Sequence, residues 1–198
     1  YTIYKNLEKD FVSFDVFASW AFTVIQDFNE IDQHLIDAKD IFIYLRDIQR
    51  LKKWSVKGEF RETELMKDHY SFLEKLTTFY TAFYQFLKEK NIGYQGLIYR
   101  ESCQKIDVFL QQNLHKKFFF IGFNALNKAE EHLFKKILET GNSEIYWDID
   151  TVFLNSNHQA GKFIRKYKAE WKYYDKNDIK IVGNTFFTPK KIEVIGAS

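Results

Sequence analysis

The chain has 198 residues, of which 45% are hydrophobic, and its 29 basic and 27 acidic side chains leave a formal net charge of +2. A charge so close to balance excludes nucleic-acid binding driven by the overall field, so any contact with DNA must come from a local basic patch. The single cysteine, Cys103, excludes an internal disulfide framework, and no apolar run reaches the ~18 residues of a membrane span, which together predict a cytoplasmic protein without a membrane partner.

The pattern of residues 1–116 is helical. In the first long helix Ser13 is the expected N-cap and Asp15 lies in the first turn, and apolar residues then recur at helical spacing as far as Leu35. The further predicted elements are a helix over 40–51, a loop over 52–59, a long helix over 61–90 that Gly93 stops, and a helix over 96–114.

From Lys117 onward the period of the pattern changes. The run FFFIGF predicts a buried strand, and the stretch from Asn127, the expected cap with Glu130 three residues on, to Gly141 predicts a helix. The later predicted elements are a strand over 144–149, a helix over 158–174, and short strands over 179–183 and 191–196. Strands that alternate with helices predict an α/β fold with a parallel sheet. The chain begins in an amphipathic stretch and ends just after a predicted strand, so we expect a segment excised from a longer protein.

Two carboxylates, Asp148 and Asp150, lie at the carboxyl end of the second predicted strand. Parallel sheets bind ligands at this edge, and Mg²⁺ prefers carboxylate oxygens, although acids at strand ends also simply face solvent. Glu170-Trp171-Lys172 has the acidic-x-Lys spacing of nucleases of the PD-(D/E)XK type. That chemistry requires the motif on a strand, where alternate side chains share a face, whereas the pattern here is helical. We therefore expect the motif to be helical and non-catalytic.

Other familiar chemical motifs give little support to an enzyme. The five histidines lack zinc-ligand spacing, and neither G-x-x-x-x-G-K-[ST] nor G-x-G-x-x-G occurs, so the chain has no phosphate-binding loop. Cys103 lies in a helical stretch, where a packed thiol is the ordinary interpretation and a catalytic dyad with a remote histidine is the alternative. The histidines are His34, His69, His115, His132 and His158.

The densest basic cluster lies in the predicted helix 158–174. Cations interleaved with aromatic rings are typical of single-strand binding, in which cations contact phosphates and rings stack on bases. On a helix the same pattern also describes a buried aromatic face opposite a solvated charged face. The cations are Lys162, Arg165, Lys166, Lys168 and Lys172, and the rings are Phe163, Tyr167 and Trp171.

Several long phrases resemble one protein family. They are QDFNEIDQHLIDAKDIF, AFYQFLKEKNIGYQGLIYRES, FFFIGFNALNKAEEHLFKKIL, EIYWDID and HQAGKFI. Together they resemble the middle portion of large bacterial proteins, typical of the Bacteroidetes lineage. Those proteins join a degenerate superfamily I (UvrD-like) helicase core to a C-terminal PD-(D/E)XK nuclease and are similar to AddB of the recombination helicase-nucleases.

The resemblance implies a fold and an inactivated motor. It implies a helical insertion (1B-like) lobe over 1–116 on a degenerate segment of a RecA-like parallel sheet, 117–198, that lacks the P-loop. In active motors of the family the strand that corresponds to FFFIGF ends in Asp-Glu, which bind Mg²⁺ and polarise water. Gly122 and Phe123, followed by Asn124, occupy these Walker-B-like positions here, and the resemblance implies that Asp148 is a vestigial acid.

The function implied for the parent protein is the processing of DNA double-strand-break ends in recombinational repair, as a helicase-like exonuclease with DNA and a helicase subunit as partners. For this segment the resemblance implies a scaffold without catalytic residues, metal ligands or cofactors. Two alternatives stay open. One is a free-standing metal-dependent nuclease that uses Asp148, Asp150, Glu170 and Lys172, and the other is a protein-interaction module without DNA contact.

Overall fold

The structure, a computed structural model, describes residues 1–54, 64–181, 183, 185, 186, 188–191 and 193. The chain forms two compact units, of which the first comprises Tyr1–Gln104 with Lys128–Glu130 and the second comprises Lys105–Asn127 with Glu131–Ser198. The domain division between residues 116 and 117 stays a prediction. Among the described helices, none combines the length and the apolar character needed to cross a membrane.

The first unit is built from helices. Ser13 caps the second of them as predicted, because its side-chain oxygen accepts a hydrogen bond from the backbone N–H of Val16 at 3.5 Å. The helices are α1 (Thr2–Leu7), α2 (Phe14–Gln33), α3 (Ala38–Trp54), α4 (Glu64–Glu89) and α5 (Gln95–Gln112), the last of which continues into the second unit. The core shared by α2, α3 and α4 contains Phe28, Ile31, Ala38, Phe42 and Leu76.

Two helix ends differ from the prediction. Helix α4 ends at Glu89 because Asn91 adopts a left-handed conformation with a φ of 52°, and the N–H of Ile92 then donates to the carbonyl of Leu87 at 3.1 Å. Asn91, and not Gly93, therefore stops this helix. Helix α3 continues through Trp54, so the predicted loop does not begin at residue 52, and its remaining positions, 55–59, lie outside the described residues.

The second unit contains a small parallel sheet. The strands lie in the order β1-β2-β3, and both neighbouring pairs are parallel, which confirms the mixed α/β class with a parallel sheet. The elements from residue 119 onward are β1 (Phe119–Phe123), α6 (Lys128–Leu138), β2 (Glu144–Trp147), α7 (Thr151–Leu154), α8 (Lys162–Glu170) and β3 (Lys180–Ile181). Most of the predicted strand 191–196 lies outside the described residues.

One face of the sheet carries the core of this unit. Ile145 and Trp147 of β2 are fully buried, and Phe134 of α6 and Tyr167 of α8 belong to the same cluster. The prediction of a buried first strand was wrong, because Phe119 and Ile121 are 54% and 62% exposed. Alternate side chains of a strand point to opposite faces, and in β1 only those directed toward the helices are covered.

The predicted helix over 158–174 is interrupted. It begins as a 3₁₀ turn, Gln159–Gly161, and continues as α8 to Glu170. Trp171 then leaves the helix with a φ of −94° and a ψ of 122°, and a second 3₁₀ turn, Lys172–Asp175, follows. Trp171 is only 2% exposed, with its ring 4.8 Å from that of Tyr167, so it packs in the core although it lies beyond the end of the helix.

Candidate functional site

The carboxyl end of β1 contains an irregularity at Gly122. Ile121 pairs with Tyr146 and Phe123 with the next residue, Trp147, so Gly122 is an extra residue in β1. Its φ of +83° lies in the left-handed region, which glycine adopts without strain. The bulge interrupts the alternation of side chains between the two faces of the sheet. Phe120 and Phe123, three residues apart, therefore both reach the core face.

Phe123 is a packing residue at this strand end. Its ring meets that of Phe134 edge-on, with the centroids 4.9 Å apart, and it is half-buried against the core cluster. A phenyl ring has no lone pair with which to bind a metal or to orient a water molecule. The position at which the resemblance implies a lost acidic residue therefore contributes to the core.

The next residues join β1 to the end of β2. The side-chain amide of Asn124 donates to the carbonyl of Asp148 at 2.9 Å, and the N–H of Asp148 donates to the carbonyl of Phe123 at 2.7 Å. Asp148 itself is exposed directly after β2, as the sequence predicts. Its backbone is thus fixed in place, while its carboxylate lies at the surface at the end of the strand.

Asp150 has a structural role that the sequence did not reveal. One carboxylate oxygen caps α7 by accepting from the N–H of Val152 at 3.0 Å, and the other accepts from the N–H of Phe186 at 2.8 Å. These backbone N–H groups lower the pKa of Asp150. Asp150 therefore connects α7 to a later segment of the chain.

The acidic-x-Lys motif does not lie on a strand. Glu170 is the last residue of α8 and forms an ion pair with Lys166 at 3.8 Å, while Lys172 begins a 3₁₀ turn. The helical expectation holds for Glu170 and is wrong for Trp171, which is extended and buried. Among the described residues, no group of three or more histidine, cysteine or acidic side chains is arranged to hold a metal ion.

The basic cluster on α8 divides into a structural arginine and exposed lysines. Arg165 is half-buried and donates to the carbonyls of Phe153 at 2.6 Å and His158 at 2.8 Å. Gly161 makes this contact possible, since a Cβ there would lie 2.1 Å from the Phe153 carbonyl oxygen. The exposed members of the cluster are Lys162, Lys166, Lys168 and Lys172.

The aromatic residues of the same segment mostly face the core. Tyr167 and Trp171 are 1% and 2% exposed, so neither ring is available to stack on a base. Phe163 is 44% exposed and is the ring of the three that lies at the surface with the lysines. The surface of α8 therefore presents exposed lysines and one partly exposed aromatic ring.

Cys103 packs as the sequence predicts. Its thiol lies 3.5 Å from the carbonyl of Ala129, and burial raises the pKa of Cys103, which disfavours the nucleophilic thiolate.

His158 has a structural role that was not predicted. Its Nδ1 accepts from the N–H of Ala160 at 3.1 Å and so caps the 3₁₀ turn before α8.

Sequence reasoning also missed a buried polar cluster in the first unit. Asp32 is 0% exposed, and the guanidinium of Arg100 donates to its carboxylate at 2.5 Å. A signal was present, because Asp32 lies one helical turn after Phe28 and next to Ile31 on the apolar stripe of α2. An acid in such a stripe indicates a buried partner.

Comparison of the chain with protein-family models, with curated proteins and with solved structures found no match.

Proposed function

We propose that this chain is a non-catalytic segment of an AddB-like, UvrD-like helicase-nuclease that processes DNA double-strand-break ends. In this proposal the second unit is part of a RecA-like sheet whose motor chemistry has been lost, and it serves as a scaffold along the path of the DNA. The parent protein would carry the PD-(D/E)XK nuclease elsewhere, act in the cytoplasm and work with a helicase partner subunit.

The observation that carries the proposal is the carboxyl end of β1. The order β1, α6, β2 with parallel strands is the unit from which motor cores are built. At the strand end, where a motor needs two carboxylates, Phe123 packs on Phe134 and Asn124 bonds to the backbone of Asp148. These contacts support a sheet that is retained for its shape.

The nuclease alternative receives less support from the same region. Asp150 uses both carboxylate oxygens to accept backbone hydrogen bonds, and Glu170 pairs with Lys166 at the end of a helix. An acidic-x-Lys site needs its two side chains on one face of a strand. Neither Glu170 nor Lys172 lies on one.

Contact with DNA is assigned to the exposed lysines of α8. Cations that neutralise phosphates release counterions, so affinity for single strands falls with salt by a log-log slope of roughly 0.7 for each phosphate contacted. We expect sequence-independent binding of single-stranded oligonucleotides. Replacing Lys162, Lys166 and Lys168 with Gln should weaken binding and flatten the slope by up to about 2. Fluorescence anisotropy at several salt concentrations measures both effects.

The matched control removes the same charge from exposed positions outside α8. Replacing Lys39, Lys90 and Lys116 with Gln changes the net charge equally, and all three side chains are exposed. Arg165 is left unchanged, because it bonds to backbone carbonyls within the second unit. If the two triple variants bind alike, α8 is a solvated face, and a protein-interaction scaffold becomes the better interpretation.

A further inference from the structure

A cavity of about 460 Å³ lies in the first unit between the start of α2, the middle of α4 and the segment that joins α1 to α2. Aromatic rings form most of its apolar wall, and charged side chains lie among the residues that line it. The lining rings are Tyr4, Trp20, Phe72 and Phe79, and the charged groups are Glu8, Asp10 and Lys75.

The rings are held in fixed orientations by one another. Trp20 meets Phe72 edge-on, with the centroids 5.5 Å apart, and meets Tyr4 edge-on at 5.7 Å. The Tyr4 hydroxyl also accepts a hydrogen bond from the N–H of Val12 at 3.3 Å, which ties the joining segment to the cavity wall. Four aromatic rings therefore line one space, and aromatic rings carry negative π-faces and positive edges.

The charges of the lining favour a cation. Two carboxylates and one ammonium give these groups a net charge of −1. Glu8 already binds the ammonium of Lys75, with Oε2 and Nζ 2.6 Å apart. Asp10 is exposed, and no described residue forms a salt bridge with it.

We propose that this cavity binds an organic cation, with a quaternary ammonium or comparable head group against the rings and Asp10 as its counter-ion. Aromatic faces attract a poorly hydrated cation through their quadrupoles, and a nearby carboxylate adds to the attraction. The cation reaches the cavity either as a free small molecule or on a methylated lysine side chain of a partner protein. This site is independent of the proposed DNA contact, because it lies wholly in the first unit.

Choline and its uncharged isostere 3,3-dimethyl-1-butanol test the inference on the whole chain. The two probes have nearly the same shape and differ in the positive charge. We expect saturable binding of choline by NMR titration and binding of the isostere that is weaker by roughly tenfold, since only choline carries the positive charge that aromatic rings and a carboxylate attract. Equal affinities would show an apolar groove and overturn the inference, as would no binding of choline.

Variants locate the site. Asp10→Asn removes the counter-ion from an exposed position and should weaken choline binding several-fold, and Phe72→Leu removes a ring while it keeps an apolar side chain. Asp178→Asn is the matched control, because it removes one exposed carboxylate from the second unit. Equal binding by the Asp10 variant and this control would overturn the assignment.

A peptide with trimethyllysine, compared with its unmodified form, distinguishes a cation on a partner protein from a free small molecule. Only a site for a methylated lysine prefers the modified peptide to choline.

Discussion

At the scale of single residues, the buried carboxylate of Asp32 organises the first unit. Besides Arg100, it accepts hydrogen bonds from the hydroxyls of Tyr80 and Tyr94, each at 2.5 Å. Burial, followed by the hydrogen bond to Asp32, raises the pKa of both tyrosines, so both remain protonated donors. Arg100 also donates to the carbonyls of Ile31 and Ile36, which fixes the end of α2. The charge on Asp32 is therefore compensated from three sides.

Neutralising Asp32 should destabilise the protein strongly. In Asp32→Asn the largely buried guanidinium of Arg100 loses its counter-charge, and we expect the free energy of unfolding to fall by about 3–5 kcal/mol. Tyr80→Phe removes one donor and should cost about 1 kcal/mol. Urea unfolding measures both. An exposed control, Asp178→Asn, should change stability by less than about 0.5 kcal/mol, and an equal small effect in Asp32→Asn would contradict the buried ion pair.

The sequence predicts where the residues of the candidate site lie in the chain, but it does not predict which contacts they make. The sequence identified the strand end at Gly122 and Phe123, since an apolar run ends there and a helix follows. It could not reveal that the glycine is an extra residue in the ladder, because a bulge is defined by the pairing of β1 with β2. The hydrogen bonds of Arg165 could not be predicted either, because only folding brings its backbone partners, Phe153 and His158, close to it.

At the scale of elements, Glu144 connects all three strands. It lies at the start of β2, and its carboxylate contacts Lys117 just before β1 at 2.7 Å and Lys180 of β3 at 2.5 Å. The hydroxyl of Tyr146 adds a third hydrogen bond at 2.8 Å. The bonds from Lys117, Lys180 and Tyr146 lower the pKa of Glu144 from its ordinary value of 4.5 to about 2.

This lowered pKa predicts a dependence of stability on pH. The folded state holds the proton of Glu144 more weakly than the unfolded state does, so the contribution is complete above about pH 4.5 and is lost as the pH falls toward 2. Thermal unfolding should show wild type more stable than Glu144→Gln at neutral pH, and the difference should shrink between pH 4.5 and 2. A difference that stays constant over this range would mean that the strands are not joined through an ionised carboxylate.

Helix boundaries were the least predictable feature of the elements. The periodicity over 158–174 indicates one helix, but the chain turns at Trp171. Trp171 packs in the core at this turn, and Tyr174 after it accepts a hydrogen bond from the indole of Trp147 at 2.5 Å. Such contacts bring together residues about 25 positions apart, so local spacing carries no information about them. Ser13, whose effect is local, caps its helix as predicted, and Gly141, which was predicted to end α6, has a left-handed φ of 77° three residues after Leu138, the last residue of that helix.

At the scale of the whole molecule, the change of period near Lys117 was the informative signal. Long stretches with apolar residues at helical spacing precede it, and strands paired in parallel follow it, so the α/β class could be read from the sequence. The compact units do not follow the same boundary. Helix α5 passes from one unit to the other, and Lys128–Glu130 belongs to the first unit although the residues on either side belong to the second. Residues distant in sequence define these units, which a linear pattern cannot show.

The chain as a whole is expected neither to bind nor to hydrolyse ATP productively, because its sequence contains no P-loop and Phe123 occupies a strand end where a motor needs a carboxylate. Calorimetric titration with Mg²⁺-ATP should give no saturable heat. Thermal unfolding offers a second measurement, since a ligand at about 100 times its Kd stabilises a folded protein by about 2.7 kcal/mol. We expect the melting temperature to be the same with and without nucleotide. Saturable binding or turnover that Asp148→Asn abolishes would instead make Asp148 a working metal ligand, and the interpretation of the sheet as an inactivated motor core would have to be abandoned.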